Sequence, residues 1–136
     1  MVGLNSHSNF ISNLRRAFQK NLDNFLTINN QNDKFNNILH SQDLYFCIKQ
    51  LLNPKYKFKL ITLVPGTNYS LKLKSIIKIF TNFYKKKIQL KYIETKNHNK
   101  LINLTKGKRL GLEFNTTRKS IILMLKENNK KTTKNH

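Results

Sequence analysis

The cations of this chain are distributed very unevenly. Residues 1–50 carry five lysines and arginines against three acids, whereas residues 51–136 carry 21 against three. The two halves therefore contribute +2 and +18 to a formal net charge of +20 at pH 7. A segment so poor in carboxylates cannot neutralise itself, and its self-repulsion opposes compaction unless an outside polyanion supplies the missing charge. The second half must fold with these side chains at the surface, and it is where a polyanion footprint belongs.

The apolar content, 38% of 136 residues with nine Phe and five Tyr but no Trp, supplies a modest core for one domain or two small lobes. Cys47, the single cysteine, excludes an internal disulfide framework and a zinc finger. No apolar run approaches the roughly 18 residues that span a bilayer, so no membrane partner is expected. Residues 1–22 contain Arg15, Arg16 and Lys20 and no acid, which imitates a transit peptide, yet the same residues serve as a first structural helix. Abundant Asn, Lys, Ile, Phe and Tyr match A/T-rich codons and suggest an A/T-rich genome, such as an organellar one.

Periodicity organises the chain. Phe10, Ile11, Leu14, Phe18 and Leu22 recur at helical spacing, predicting a helix over residues 8–22. "NFLTI" (24–28) reads as a short strand. Asn32 or Asp33 caps an expected second helix with Phe35, Ile38 and Leu39 as its stripe, and "LYFCIKQLL" (44–52) fits either state. "YKFKLITLV" (56–64) alternates as a strand, "PGTN" (65–68) is a turn, and "IQLKYI" (88–93) is another strand. "SLKLKSIIKIF" (70–80) is compatible with either state, and "ETKNHNK" (94–100) reads as a polar loop. "KGKRLGLEF" (106–114) and "SIILML" (120–125) look like a hairpin or adjacent strands. The expected fold is α+β in two small lobes: residues 1–69 as an α-β-α-β-β lobe, 70–125 as a β-rich basic lobe, and 126–136 as a basic tail that is disordered alone.

The candidate chemistry is that of binding. His7, His40, His98 and His136 show no ligand spacing, the six acids are scattered, and no nucleophile elbow or phosphate loop occurs. No catalysis, metal, cofactor or small-molecule substrate is expected. Lys85, Lys86 and Lys87 adjoin Phe83 and Tyr84 and suit phosphate contact, the plain alternative being a solvated turn. Lys106, Lys108 and Arg109 flank Gly107 and Gly111, where backbone can approach RNA closely; the alternative is a hairpin turn with solubilising charge. Lys126, Lys130, Lys131 and Lys134 form a non-specific electrostatic arm. The strongest candidate is "NTTRKS". Asn115, Thr116, Thr117 and Ser120 offer amide and hydroxyl groups, with Arg118 and Lys119 as cations, a set able to read 2′-hydroxyls, base edges and phosphates. Its alternative is a polar turn capped by threonines.

At this motif the chain resembles the bacterial-type eighth protein of the small ribosomal subunit in an organellar form. That family carries a Ser-Thr-Ser-x-Gly segment, to which Asn115, Thr116 and Thr117 correspond, and Gly111 in "RLGLEF" matches a family glycine. "SNFISNLRRAF", "DKFNNILHSQDLYF", "KFKLITLV" and "SIIKI" extend the likeness from about residue 7 to 125. The chain departs from the family in "TNFYKKKIQL", which lacks the family proline, in Lys119 or Ser120 at the family glycine, and in "ENNKKTTKNH" where a final strand is usual. The resemblance implies two α+β lobes and a structural constituent of the small subunit. Such a protein binds the central domain of small-subunit ribosomal RNA beside neighbouring ribosomal proteins, here in the mitochondrial matrix. Three other readings stand beside it: a β-α-β unit like that of the tenth small-subunit protein, for which residues 75–86 must be helical; a basic nuclease or RNA-modifying enzyme; and a polybasic membrane-surface protein.

Overall fold

Apolar side chains at positions 11, 14, 17 and 18 fall on one face of a helix, and this periodicity forms α1, Phe10–Gln19. The computed structural model describes residues 10–20, 26–57 and 62–132, the last five as backbone only. The further elements are β1 (Leu26–Asn29), β2 (Lys34–Phe35), α2 (Ser41–Leu51), β3 (Leu71–Lys72), α3 (Leu73–Tyr84), β4 (Leu90–Ile93), α4 (Thr105–Arg109) and α5 (Thr117–Thr132). The α+β class expected from the sequence holds.

One buried cluster joins the elements. Ile11, Leu14 and Phe18 of α1 pack with Ile76, Ile77, Ile79 and Phe80 of α3 and with Ile121, Met124 and Leu125 of α5. Phe18 lies 5.7 Å from the rings of both Phe80 and Tyr84. β1 and β4 form a parallel pair, Leu26 opposite Leu90 and Ile28 opposite Tyr92, which turns Ile28 into the cluster. Beside it, β2 and β3 pair antiparallel through Lys34–Lys72 and Phe35–Leu71.

This core corrects the expected division at residue 70. The cluster is drawn from residues 11–38 and 71–125 together, and β1 pairs with a strand from beyond the seam. Residues 70–125 are not β-rich either, because α3, α4 and most of α5 lie there. The run "SIILML" is helical. Thr117, Ser120, Ile121, Met124 and Leu125 are the buried positions, at helical spacing. The continuous apolar stretch hid that period, since short apolar runs are ambiguous between strand and helix. Beyond Leu125 the backbone stays helical to Thr132, where the sequence suggested a disordered tail. Propagating a helix already nucleated by packing needs only one hydrogen bond per added residue.

The expected helix from Asn32 is absent. Residues 36–39 are neither helix nor strand, and α2 starts at Ser41 behind a capping box in which His40 Nδ1 accepts from Gln42 N and Asp43 Oδ2 from His40 N. The reason lies in side chains at a spacing of three. Asn30 binds the backbone of Thr95 and Asn97, Asp33 accepts from Asn99 N at 2.7 Å, and Asn36 exchanges two 2.8 Å bonds with Ile102. These amide and carboxylate groups stand in for a strand partner and hold residues 95–102 extended along the 30–36 segment. They compete with local helix formation. Backbone bonds of Asn99 and the His98 ring hold the Asp33 carboxyl below its ordinary value. Residues 58–61 of the expected strand over 56–64 lie outside the described residues, and Tyr56, Lys57 and residues 62–64 are not in a strand.

A second, looser layer lies between α2 and α4. There an apolar cavity of about 230 Å³ is bounded by Leu44, Cys47, Ile48, Leu51, Leu104 and Phe114. Gly107 is fixed by close packing: a Cβ would sit 2.5 Å from the Phe114 ring.

Candidate nucleic-acid interface

The six residues of "NTTRKS" divide by orientation. Thr116 caps α5, its Oγ1 accepting from Lys119 N at 3.1 Å, a bond that contributes about 1 kcal/mol. Thr117 is 0% exposed. Its Oγ1 lies 2.7 Å from Thr67 Oγ1 and donates to Asn68 O at 3.2 Å, while Thr67 Oγ1 donates to Asn36 O. Ser120 is buried and bonds back to Thr116 O. Asn115 Nδ2 donates to Asp43 Oδ1 at 2.6 Å. The hydroxyls and the amide thus stitch residues 67–68, α2 and α5 together, and the buried Thr117 and Ser120 are not presented to a ligand. This corrects the expectation for the buried Thr117 and Ser120, whereas Asn115 and Thr116 are half-exposed. Arg118 and Lys119 are the fully exposed pair of the six. They occupy the first turn of α5, which contains no acid, so two cations reinforce the positive end of the helix dipole.

Lys85, Lys86 and Lys87 also part company. Lys85 ends α3 in the left-handed conformation, φ 53° and ψ 34°, and is exposed. Lys86 turns back, its Nζ 3.4 Å from Phe18 O and 3.2 Å from Lys20 O, and so caps α1. Lys87 joins Lys74 and Lys78 of α3 along a shallow groove of about 290 Å³ that includes Thr81 and has Ile77, Ile88 and Leu90 as its apolar side. Lys74, Lys78 and Thr81 recur at helical spacing on the face of α3 opposite its buried stripe. Reading residues 73–84 as a helix would have identified Lys74 and Lys78; the ambiguous "SLKLKSIIKIF" hid them.

Lys106, Lys108 and Arg109 all lie on α4 and are exposed. Lys106 Nζ donates to Thr62 O at 3.1 Å, and with Arg109 it borders a shallow depression that also includes Asn103, Thr105 and Leu110. Gly111, at φ 78°, makes the turn after α4, and Gly107 serves packing against Phe114.

The electrostatics follow from these positions. Every described lysine and arginine from Lys55 to Lys126 except Lys86 is exposed. The only ion pairs among the described residues are His40–Glu127 and His98–Asp33, both at 2.8 Å. No exposed lysine or arginine there has a carboxylate partner. His40 is 1% exposed, with Nδ1 engaged in the α2 cap and Nε2 close to Glu127 but outside hydrogen-bond alignment. Among the described residues no three of His, Cys, Asp and Glu stand close enough to hold a metal ion, and no helix is long and apolar enough to cross a membrane. No protein-family model, curated protein or solved structure matches the chain.

Proposed function

We propose that the chain is an RNA-binding protein whose role is structural rather than catalytic. The observation that carries this is the surface just described: from Lys55 to Lys126 nearly every described cation is exposed, and none of the exposed ones is paired with a carboxylate. Such a field is costly in isolation and is neutralised by a phosphate backbone, with release of counterions. Lys74, Lys78 and Lys87 form one phosphate track, the cations of α4 a second, and Arg118 with Lys119 a third. The particular protein we propose is a constituent of the small ribosomal subunit of a mitochondrion, bound to small-subunit ribosomal RNA among neighbouring ribosomal proteins and assisting its folding. The resemblance of residues 7–125 to the eighth small-subunit protein supports that narrower step.

One observation favours a second reading in the same class. Residues 73–84 are helical and lead into β4, as the β-α-β alternative resembling the tenth small-subunit protein requires. However, β4 pairs with β1, and Tyr56, Lys57 and residues 62–64 are not in a strand.

A photo-crosslinker placed at Lys87, followed by sequencing of the attached RNA, tests the proposal. The expected product is one short segment of small-subunit ribosomal RNA. Crosslinks scattered over unrelated RNAs, or none, would overturn it, and the position of the segment separates the two ribosomal readings.

A further inference from the structure

Tyr69 is the most exposed large apolar side chain of those described, at 80%, and its backbone is at φ 55°, a conformation unfavourable for a residue with a Cβ. The strain is imposed from both sides. Asn68 is anchored through its N–H to Asn115 O, its amide to Phe114 O and its carbonyl to Thr117 N, while Leu71 is already committed to pairing with Phe35. The chain must reverse between these anchors, and the reversal throws the ring outward. A glycine or asparagine would make the same turn with less strain, so the aromatic ring is not there for the fold.

The surroundings of the ring suit one class of ligand. Tyr69 lines a cleft of about 230 Å³ with Ser70, Leu101, Asn103, Thr105 and Lys108. Leu101 is 49% exposed, and Asn103, Thr105 and Lys108 are exposed as well. Asn103 uses only Oδ1, accepting from Thr105 N. Its Nδ2 and the hydroxyls of Ser70 and Thr105 have no partner among the described residues. A flat apolar surface, unengaged donors and acceptors, and a cation together match a nucleobase with its phosphate. We propose that the cleft holds one unpaired RNA base, stacked on Tyr69 with its edge toward Asn103 and Thr105 and the adjoining phosphate on Lys108. The inference rests on the RNA-binding reading and adds a preference for RNA that is not fully paired.

The test uses the full chain and a fluorescein-labelled RNA stem, either fully paired or carrying a single unpaired adenosine, with affinity read by anisotropy. The wild type is expected to favour the interrupted stem by roughly tenfold or more, the scale of one base–aromatic stack. Tyr69→Phe keeps that preference. Tyr69→Ala loses it while its affinity for the paired stem is unchanged. Tyr69→Gly removes the ring, relaxes the backbone and raises Tm, yet also loses the preference, so a poorly folding alanine variant does not leave the matter open. Equal wild-type affinity for both stems, or a preference that survives Tyr69→Gly, overturns the base cleft and points to another occupant such as a protein loop. Absence of salt-dependent binding to either stem defeats instead the RNA-binding reading beneath it.

Discussion

Residues 115–120 and the α3 groove are both rich in groups that recognise RNA, and the fold uses them oppositely. In the first, hydroxyls and an amide close on one another: Thr117 pairs with Thr67, Ser120 with its own helix, Asn115 with Asp43. In the second, Lys74, Lys78 and Lys87 converge on a groove with no carboxylate among the described residues to hold them. A short hydroxyl or amide is readily satisfied inside a protein, by backbone or by another side chain. A lysine ammonium is not, because burying a charge without an ionic partner is far more costly. Residue type states what a side chain can bind, while burial cost decides which of these remain on offer.

The contrast can be broken most decisively at the groove. Replacing Lys74, Lys78 and Lys87 together by Gln should lower RNA affinity strongly and flatten the log–log salt dependence by roughly two to three, about 0.7 to 0.9 per lost phosphate contact. Titrations at several salt concentrations read both effects, and an unchanged slope would remove the groove from the interface. The matching change in the turn is Thr117→Val. It conserves volume but removes the Thr117 hydroxyl from Thr67 Oγ1 and Asn68 O, while Asn68 O keeps Thr117 N and Thr67 keeps Asn36 O, so unfolding in urea should show a loss of about 0.5–1.5 kcal/mol. RNA affinity of the folded fraction should stay the same. A loss of affinity without loss of stability would return Thr117 to the binding surface.

Smaller effects sharpen the same division. Lys86→Met removes a cation from the α1 carbonyl end and should cost about 0.3–1 kcal/mol while changing the salt slope less than Lys87→Met does. The weakest prediction concerns pH. The Asp33 carboxyl is held below its ordinary value by Asn99 N–H and by His98, so its contribution is complete above that value and is lost as pH falls through the lowered one. Exchange protection of the Asn99 amide should therefore decline on acidification, and Asp33→Asn should make that protection insensitive to acid. At the alkaline end, burial pushes the Cys47 thiol and the Tyr84 phenol up. Their contributions are intact below the ordinary values and fade as pH rises through the raised ones.

Legibility varied with the kind of signal. The first helix was readable because Ile11, Leu14 and Phe18 alternate with polar residues at a helical period, and the strand ending in "LKYI" because it alternates at a period of two. The runs at 73–80 and 121–125 were ambiguous, since packing on several sides removes the polar positions that mark a period. The Asn30, Asp33 and Asn36 series was unreadable because its partners lie about 65 residues away. Tyr69 gave no sign at all, as positive φ there follows from two long-range anchors.

By itself the sequence determined the α+β mixture, the shortage of acids and the location of the unneutralised charge, all of which depend on composition and local period. Tertiary structure alone decided that α1, α3 and α5 share one core, that "NTTRKS" begins a helix instead of ending a strand, and which polar groups face solvent. Those outcomes depend on which distant backbone groups a hydroxyl or amide meets, and that information exists only once the chain has closed on itself.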